Sequence, residues 1–351
     1  MSARQAAVYF RRTVKGIQMT AGPRRADSAP GETDAQPVRR VLTSFYTPAS
    51  CAQPLSLVQL EKVVCNLCGG AGYARLGEEL GFEIRKCRDC GLVYVSPQPS
   101  REDLPKFYEG MYVREEHGPV ELRSLGLVES QVRRILQKRK PQGGRLLEVG
   151  CGYGLLLREL SSLPFECTAL EASESAVSVA RQHAPHATIC VGIMEDFSFD
   201  PESFDCIVLV AVLEHMKDPR AALNRLHDWL VSGGLLVLVV PYVEWFFRVK
   251  QRLPWLPIYF EAPRHLFDFS PTVLRRYLRE TAFEQTAMEI GLPGWARSSF
   301  HAALIWGVKV PGIVLHWLTG GRYIYPFASS VVAHAVKGTG CRPAAATQPH
   351  H

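Results

Sequence analysis

Apolar residues recur along this chain in short runs that are separated by amphipathic stretches. Seven runs of four to seven residues predict buried strands: 145–149, 167–170, 188–192, 204–210, 235–240, 286–290 and 331–336. Helical patterns fill most of the gaps between them. Strands that alternate with helices build a mostly parallel sheet with helices on both faces. The pattern therefore predicts a doubly wound α/β fold.

Capping residues mark where helices begin. Ser173 precedes one helix, Asp218 and Pro219 open a second, and Ser270 precedes a third over residues 271–280. Serine and aspartate side chains accept hydrogen bonds from the first N–H groups of a helix, and proline fits its first turn. We expect the second of these helices to end near residues 232–234.

The first strand ends in a glycine-rich turn at Gly150, Gly152 and Gly154. Glycine lets the backbone turn sharply and approach a ligand closely. Glu148 lies in the apolar strand itself, where a carboxylate is costly without a partner such as an amine. Glu171 ends the next strand about 20 residues on, where nucleotide-binding folds grip a ribose. The turn therefore predicts a nucleotide-like ligand at the carboxyl ends of these strands.

Together these residues resemble the class I S-adenosylmethionine-dependent methyltransferases, which have a Rossmann-like sheet of seven strands. The segment from Phe204 to Pro219 resembles their ubiquinone-biosynthesis-like branch. The resemblance implies that Glu148 faces the methionine end of the cofactor, Glu171 the ribose, Met194 and Glu195 the adenine, and Ala211 the pocket floor. The implied cofactor-binding residues are Glu148, Gly150, Cys151, Gly152, Gly154, Glu171, Ala172, Met194, Glu195 and Ala211.

A dinucleotide-binding dehydrogenase shares the strand, the glycine turn and the ribose acid. Its third glycine falls one place after Gly154, where this chain has Leu155. A structural strand-to-helix turn is the plainer alternative. The five alternating strands, the acids Glu148 and Glu171, and the segment from Phe204 to Pro219 favour the methyltransferase interpretation.

Two C-x-x-C pairs lie upstream, at Cys65 and Cys68 and at Cys87 and Cys90, with 18 residues between the pairs. Four thiolates at this spacing suit a tetrahedral structural zinc site without an open position. Disulfides or a redox dithiol are the alternatives. No secretory signal is visible, which favours a reducing compartment, zinc and a cytoplasmic location.

Residues 85–99 resemble the N-terminal ribbon of bacterial methyltransferases in secondary-metabolite and cell-surface glycan pathways. That resemblance implies a small-molecule or glycan acceptor, often carrier-linked. We expect methyl transfer to oxygen rather than to carbon or nitrogen. Zinc ribbons also accompany ribosomal RNA methyltransferases, so RNA methylation is an alternative. A non-catalytic protein that only binds cofactor or partners is another.

Charge argues against a nucleic-acid substrate. The net charge is +6, and residues 1–42, with eight basic and three acidic side chains, carry +5 of it. The near-neutral remainder is unlike a surface that neutralises several phosphates. The composition of residues 1–48 predicts a disordered basic tail. An organelle transit peptide and a nonfunctional extension are two interpretations of this tail. Residues 339–351 read as a second disordered tail.

Two histidines are candidates for the base that takes a proton from the acceptor. His215 follows the fourth strand at the carboxyl edge of the sheet, and His265 lies in a loop beside Arg264, which could hold an anionic substrate group. A general base typically adds about 10²–10⁴-fold in rate. Purely structural roles for both histidines remain open, and we expect Glu214 to be structural.

We place the predicted methyltransferase domain at residues 141–338. The other predicted segments precede this domain or are inserted into it. Residues 60–100 form the ribbon and 101–140 a helical linker. Residues 242–269 form an aromatic insertion that covers either an acceptor or core. An apolar hairpin at 296–326 is too polar to span a membrane, since it contains Lys309. Packing, dimerisation or peripheral contact of 300–327 with the inner face of a membrane are its possible roles.

Overall fold

The computed structural model describes residues 17–19, 59–79, 81–103, 126–244, 260–291 and 330–338, with isolated positions between 248 and 319. Its strands are β1 (Ile17–Met19), β2 (Leu60–Glu61), β3 (Tyr73–Glu79), β4 (Phe82–Cys87), β5 (Val93–Ser96), β6 (Gln98–Pro99), β7 (Gly144–Val149), β8 (Phe165–Glu171), β9 (Thr188–Val191), β10 (Phe197–Phe199), β11 (Phe204–Val210), β12 (Leu230–Pro241), β13 (Phe267–Asp268), β14 (Phe283–Ile290) and β15 (Ser330–Lys337). Its helices are α1 (Gly126–Arg139), α2 (Leu155–Leu160), α3 (Glu174–His183), α4 (Pro219–Trp229) and α5 (Pro271–Glu280).

The central sheet has seven strands in the order β14-β15-β12-β11-β7-β8-β9. The five from β12 to β9 run parallel, and β15 pairs antiparallel with both β12 and β14. The doubly wound α/β prediction is therefore confirmed. The sheet is built outward in both directions from β7, so a crevice opens at its carboxyl end between the connections to β8 and β11. Ligands of such sheets bind at this switch point.

Successive side chains of β7 pack alternately into two separate hydrophobic cores. Leu146 belongs to the core that contains α1, α2 and α3, whereas Leu147 belongs to the core that contains α4 and α5. Strands buried on both faces have to be continuously apolar, which is why these runs were visible in the sequence.

The predicted helix caps are confirmed. Ser173 accepts a hydrogen bond from the Ala176 amide, Asp218 from Ala221 and Ser270 from Val273. The helix that begins at Pro219 ends at Trp229, earlier than expected, because Leu230 already pairs with Phe204 in the sheet.

The N-terminal ribbon and the insertion after β12 share one small sheet, in the order β13-β5-β4-β3. Phe267 in β13 pairs with Tyr94 in β5, and the Val95 amide donates to the Leu266 carbonyl at 2.9 Å. Phe260 packs in one core with Ile84 and other ribbon residues. The ribbon is therefore joined to the last ten residues of the insertion.

Several predicted segments lie mostly outside the described residues: 1–48, the linker from 104 to 125, the insertion from 245 to 259, the hairpin at 296–326 and the tail at 339–351. Ile17–Met19, within the expected disordered tail, forms a strand that pairs with β10. In the hairpin, the described helical positions are exposed and apolar: Gly307, Val310, Pro311, Val314, Leu315 and Leu318. Within the described part of the chain, every helix is too short or too polar to cross a bilayer.

Candidate functional site

The glycine turn after β7 has a backbone shape that suits glycine. Gly150, Gly152 and Gly154 have φ angles of 72°, 51° and 74°. A Cβ atom added to Gly150 would lie 2.5 Å from Cγ2 of Val212. The amides of Gly150 and Cys151 both donate to the carbonyl of Leu170, at 2.7 and 3.1 Å. The turn is thus tied to the neighbouring strand and leaves no room for side chains at its first position.

Glu171 holds the ends of three strands together. Its Oε2 accepts the Gly152 amide at 2.8 Å, and its Oε1 accepts the Ser173 amide at 3.0 Å. Its own carbonyl accepts the Gly192 amide after β9 at 2.8 Å. The carboxylate is buried, and Ala172 lies half-buried beside it. Two predicted cofactor contacts, the glycine turn and the ribose acid, are therefore in direct contact with each other.

Glu148 is the second acid at this edge. It is 3% exposed, and Oε2 has no hydrogen-bond partner among the described residues. Burial raises its pKa well above the ordinary value, and the nearby carboxylates of Glu129 and Glu171 add to the effect. A buried carboxyl of this kind is costly unless a cation or a proton neutralises it.

The other residues expected at the cofactor lie on the adjacent strand ends. Met194 is buried in the short 3-10 turn after β9, and the carbonyl of its half-buried neighbour Glu195 accepts from Arg225 at 3.2 Å. Ala211 follows β11 with a φ of 54°, a left-handed conformation that is uncommon for alanine. Its amide donates to Val239 at 2.8 Å. The chain turns abruptly here, at the mouth of the crevice.

The two histidines proposed as bases, which are 50 positions apart in sequence, lie side by side. Their ring centroids are 5.0 Å apart. Nδ1 of His215 lies 2.7 Å from the Arg264 carbonyl, which can only accept, so this nitrogen carries a proton. Burial lowers the pKa of His215 well below its usual range and that of His265 to about 3. Both rings are therefore neutral at physiological pH.

Glu214 lies beneath these rings. Its side chain is fully buried, with Oε1 3.9 Å from Nε2 of His215, and neither oxygen has a hydrogen-bond partner among the described residues. Burial raises its pKa to about 8. Ligating atoms of Glu214, His215 and His265 all lie within 4.8 Å of one another. A raised pKa of this size keeps the Glu214 carboxyl mostly protonated at neutral pH.

The four ribbon cysteines meet at one point. Their sulfur atoms all lie within 4.8 Å of one another, with Cys65 to Cys90 at 3.3 Å and Cys68 to Cys87 at 3.5 Å. A tetrahedral zinc with bonds of about 2.3 Å would place its sulfurs about 3.8 Å apart. All four thiols are free of disulfides. The donor set and its spacing thus fit a closed, structural metal site.

Polar contacts connect the ribbon to the histidine loop. The carboxylate of Glu79 accepts three backbone amides, from Phe260, Glu261 and Ala262, at 2.8 to 3.1 Å. These residues lead directly into His265. Glu79 could not be singled out from the sequence, because nothing in a short charged strand indicates which distant loop its side chain will contact.

A second set of contacts joins the cysteine knuckle to the loop that follows His215. Asn66, between the first two cysteines, donates to Asp218 at 3.0 Å and accepts from the Tyr277 hydroxyl at 2.9 Å. Asp218 is also the cap of α4. The ribbon therefore braces the segments that carry both histidines.

One protein-family model matches part of this chain. A family model described as "Methyltransferase domain" matches residues 121–287. The ubiquinone biosynthesis O-methyltransferase of Cereibacter sphaeroides is 31% identical over 132 residues, which cover 33% of this chain and 51% of that protein. The protein of the same name from Ruegeria pomeroyi is 33% identical over 152 residues, which cover 38% of this chain and 61% of that protein. The chain thus spans about half the length of the curated relatives it matches.

Among solved structures, a Burkholderia thailandensis 1,6-didemethyltoxoflavin-N1-methyltransferase aligns with a TM-score of 0.48 at 13% identity, covering 72% of this chain and 97% of that one.

Proposed function

We propose that this chain, whose residues 121–287 match a family model described as a methyltransferase domain, is a class I S-adenosylmethionine-dependent methyltransferase that transfers a methyl group to an oxygen of a small-molecule or glycan acceptor. The observation that carries the proposal is the arrangement at the switch point of the sheet. A glycine turn held by Glu171 lies at the ends of β7 and β8, and two neutral histidines lie at the end of β11 and on the facing loop. Cofactor and acceptor would thus meet between adjacent strands.

The cofactor-binding residues follow from the strand ends. Glu171 would bind the ribose hydroxyls of the cofactor and Glu148 its methionine end. The turn from Gly150 to Gly154 would pass beneath the bound cofactor. Met194 and Glu195 would border the adenine, and Ala211 would form the pocket floor. The bound cofactor supplies an electrophilic methyl group on a sulfonium. The protein's own contribution is to align the acceptor and to remove its proton.

A neutral histidine can accept the acceptor's proton without first losing one, and the lowered pKa values make both rings weaker bases than an exposed histidine. His215 is positioned by its bond to the Arg264 carbonyl, and His265 lies on the same loop. Glu214 is buried beside His215 with its pKa raised to about 8, and the carboxyl group of Glu261 lies 3.7 Å from Nε2 of His265, where a negative charge would stabilise the ring once it takes the proton. The proton of an acceptor hydroxyl would pass to one of these rings as the methyl group transfers.

We assign the cysteine cluster a structural zinc ion held by Cys65, Cys68, Cys87 and Cys90. With four thiolates it would have no open coordination position, so its contribution is to fix the ribbon. The shared sheet and the Glu79 bonds would in turn fix the histidine loop. The ribbon is thus part of the acceptor side of the site.

Oxygen is favoured as the methylated atom because the relatives matched by sequence are named O-methyltransferases. The test is transfer of a labelled methyl group from S-adenosylmethionine to a panel of phenols, sugars and their lipid-linked forms. We expect transfer to members of the hydroxyl panel and a loss of at least about 100-fold in the double variant His215→Asn and His265→Asn. Full activity in that variant would rule out both histidines as bases.

A further inference from the structure

Helix α1 brings a second carboxyl side chain to the level of Glu148. A turn of four residues joins this helix to β7, and the two elements pack in one core, so we infer that they run antiparallel. Glu129 lies ten residues before the helix ends at Arg139, about 15 Å along its axis. Glu148 lies four residues after the strand begins at Gly144, about 13 Å along it. The two side chains are therefore at the same height, beside the glycine turn.

Both side chains also face the same layer. Val132 and Leu136 lie three and seven positions after Glu129, on the same side of the helix, and they pack in one core with Leu146. Leu146 and Glu148 are two positions apart on the strand and so share one face of the sheet. The layer between α1 and the sheet therefore contains both carboxyl groups.

Each of these carboxyls is incompletely satisfied. Glu129 is 5% exposed and Glu148 is 3% exposed, and Oε2 of each has no hydrogen-bond partner among the described residues. Burial raises the pKa of Glu129 to about 7, with opposing contributions from the charges of Glu159 and Arg158 on α2. Two buried acids in one apolar layer are costly, and one cation between them would offset the cost for both.

We propose that Glu129 and Glu148 together bind the α-ammonium group of the methionine moiety of S-adenosylmethionine. An ammonium group offers three donors and a full positive charge, enough to satisfy one oxygen on each carboxylate. This inference rests on the proposed function and adds to it a residue from outside the strand ends. Glu129 lies in the linker helix, and its side chain closes the pocket from the side of α1.

The experiment compares two ligands on matched variants. S-adenosylhomocysteine carries the ammonium group, and its deaminated analogue has hydrogen in that place. We expect the wild-type protein to bind the first at least tenfold more tightly, about 1.4 kcal/mol. In Glu129→Gln that preference should shrink to about threefold or less, with binding of the analogue unchanged. Glu159→Gln, which alters a neighbouring acid on α2, should keep the full preference.

The outcomes separate the two proposals. If Glu129→Gln keeps the full preference, or weakens both ligands equally, the assignment of Glu129 is wrong and the methyltransferase proposal stands. If folded wild-type protein binds neither ligand nor S-adenosylmethionine, both fail. Glu129→Asp retains the charge on a shorter side chain. It should keep part of the preference, and a complete loss there would contradict a charge-based role.

Discussion

Replacing Gly150 with alanine tests whether the turn after β7 has the geometry described. Two separate costs follow from the structure. At a φ of 72° an L-residue is disfavoured by about 1–2 kcal/mol. The new Cβ would also lie 2.5 Å from Cγ2 of Val212, and overpacking of this kind costs about 1–3 kcal/mol. We expect Gly150→Ala to lower the free energy of unfolding by about 2–5 kcal/mol.

Gly233→Ala is the matched control. Gly233 has a φ of 69°, and a Cβ there would meet nothing within 4 Å. Its substitution should therefore show the backbone cost alone. Urea unfolding of both variants, followed by circular dichroism, gives the difference between the two costs. Because the contact partner is a single side chain, Val212→Ala should restore part of the stability of Gly150→Ala, as a positive coupling in a double-mutant cycle.

If Gly150→Ala is no more destabilising than Gly233→Ala, or if Val212→Ala has the same effect on stability with and without Gly150→Ala, the predicted clash with Val212 is refuted. Either result would mean that the turn can relax away from Val212. The glycine would then be needed for its backbone conformation alone, and its closeness to the end of β11 would have no energetic consequence.

Three further predictions concern the ribbon and the buried acid. Glu79→Gln should lower the methyl-transfer rate more than tenfold and leave the affinity for S-adenosylmethionine unchanged. Glu78→Gln, at the exposed neighbouring position, should leave both the rate and the affinity unchanged; equal effects of the two substitutions on the rate would refute the bracing role. Metal analysis should find a single zinc ion per chain, and Cys68→Ser should lose it together with the ribbon's protection from proteolysis; a wild-type protein without zinc contradicts the site. Glu214 has a pKa of about 8 in the folded protein against 4.5 ordinarily, so the folded state holds an extra proton between these values and stability falls as pH rises. Between pH 6.5 and 8 the unfolding free energy of the wild type should fall more steeply with pH than that of Glu214→Gln, by up to about 1.4 kcal/mol per pH unit. If the two proteins show the same pH dependence of stability, Glu214 is not the group responsible.

Local signals in the sequence were enough for most of the central fold. The strand runs, the caps at Ser173 and Asp218 and the glycine turn each reflect interactions within a few residues, or burial on both faces of a sheet. Even there, a long-range pairing decided one boundary. Leu230 joins the sheet beside Phe204, so α4 ends before the glycines that were expected to end it.

The candidate site was predictable only where a short motif marks it. Glu148 and Glu171 are unusual acids in apolar strands, and His215 follows a strand end. Glu79 and Glu129 carry no such mark. Glu79 lies in an exposed-looking charged strand, and Glu129 resembles any first-turn acid of a helix. Their importance depends on how distant elements stack, and chemical type and spacing do not encode that.

The crevice at the ends of β7 and β8 is where we propose that S-adenosylmethionine binds. Calorimetric titration of the zinc-loaded protein tests this claim most directly, with Glu171→Gln beside Glu166→Gln, an exposed acid at the opposite end of the same strand. We predict binding by the wild type, an unchanged affinity in Glu166→Gln and a loss of at least tenfold, about 1.4 kcal/mol, in Glu171→Gln. Folded wild-type protein that gives no heat of binding at millimolar cofactor, or equal affinities in all three proteins, would contradict the claim.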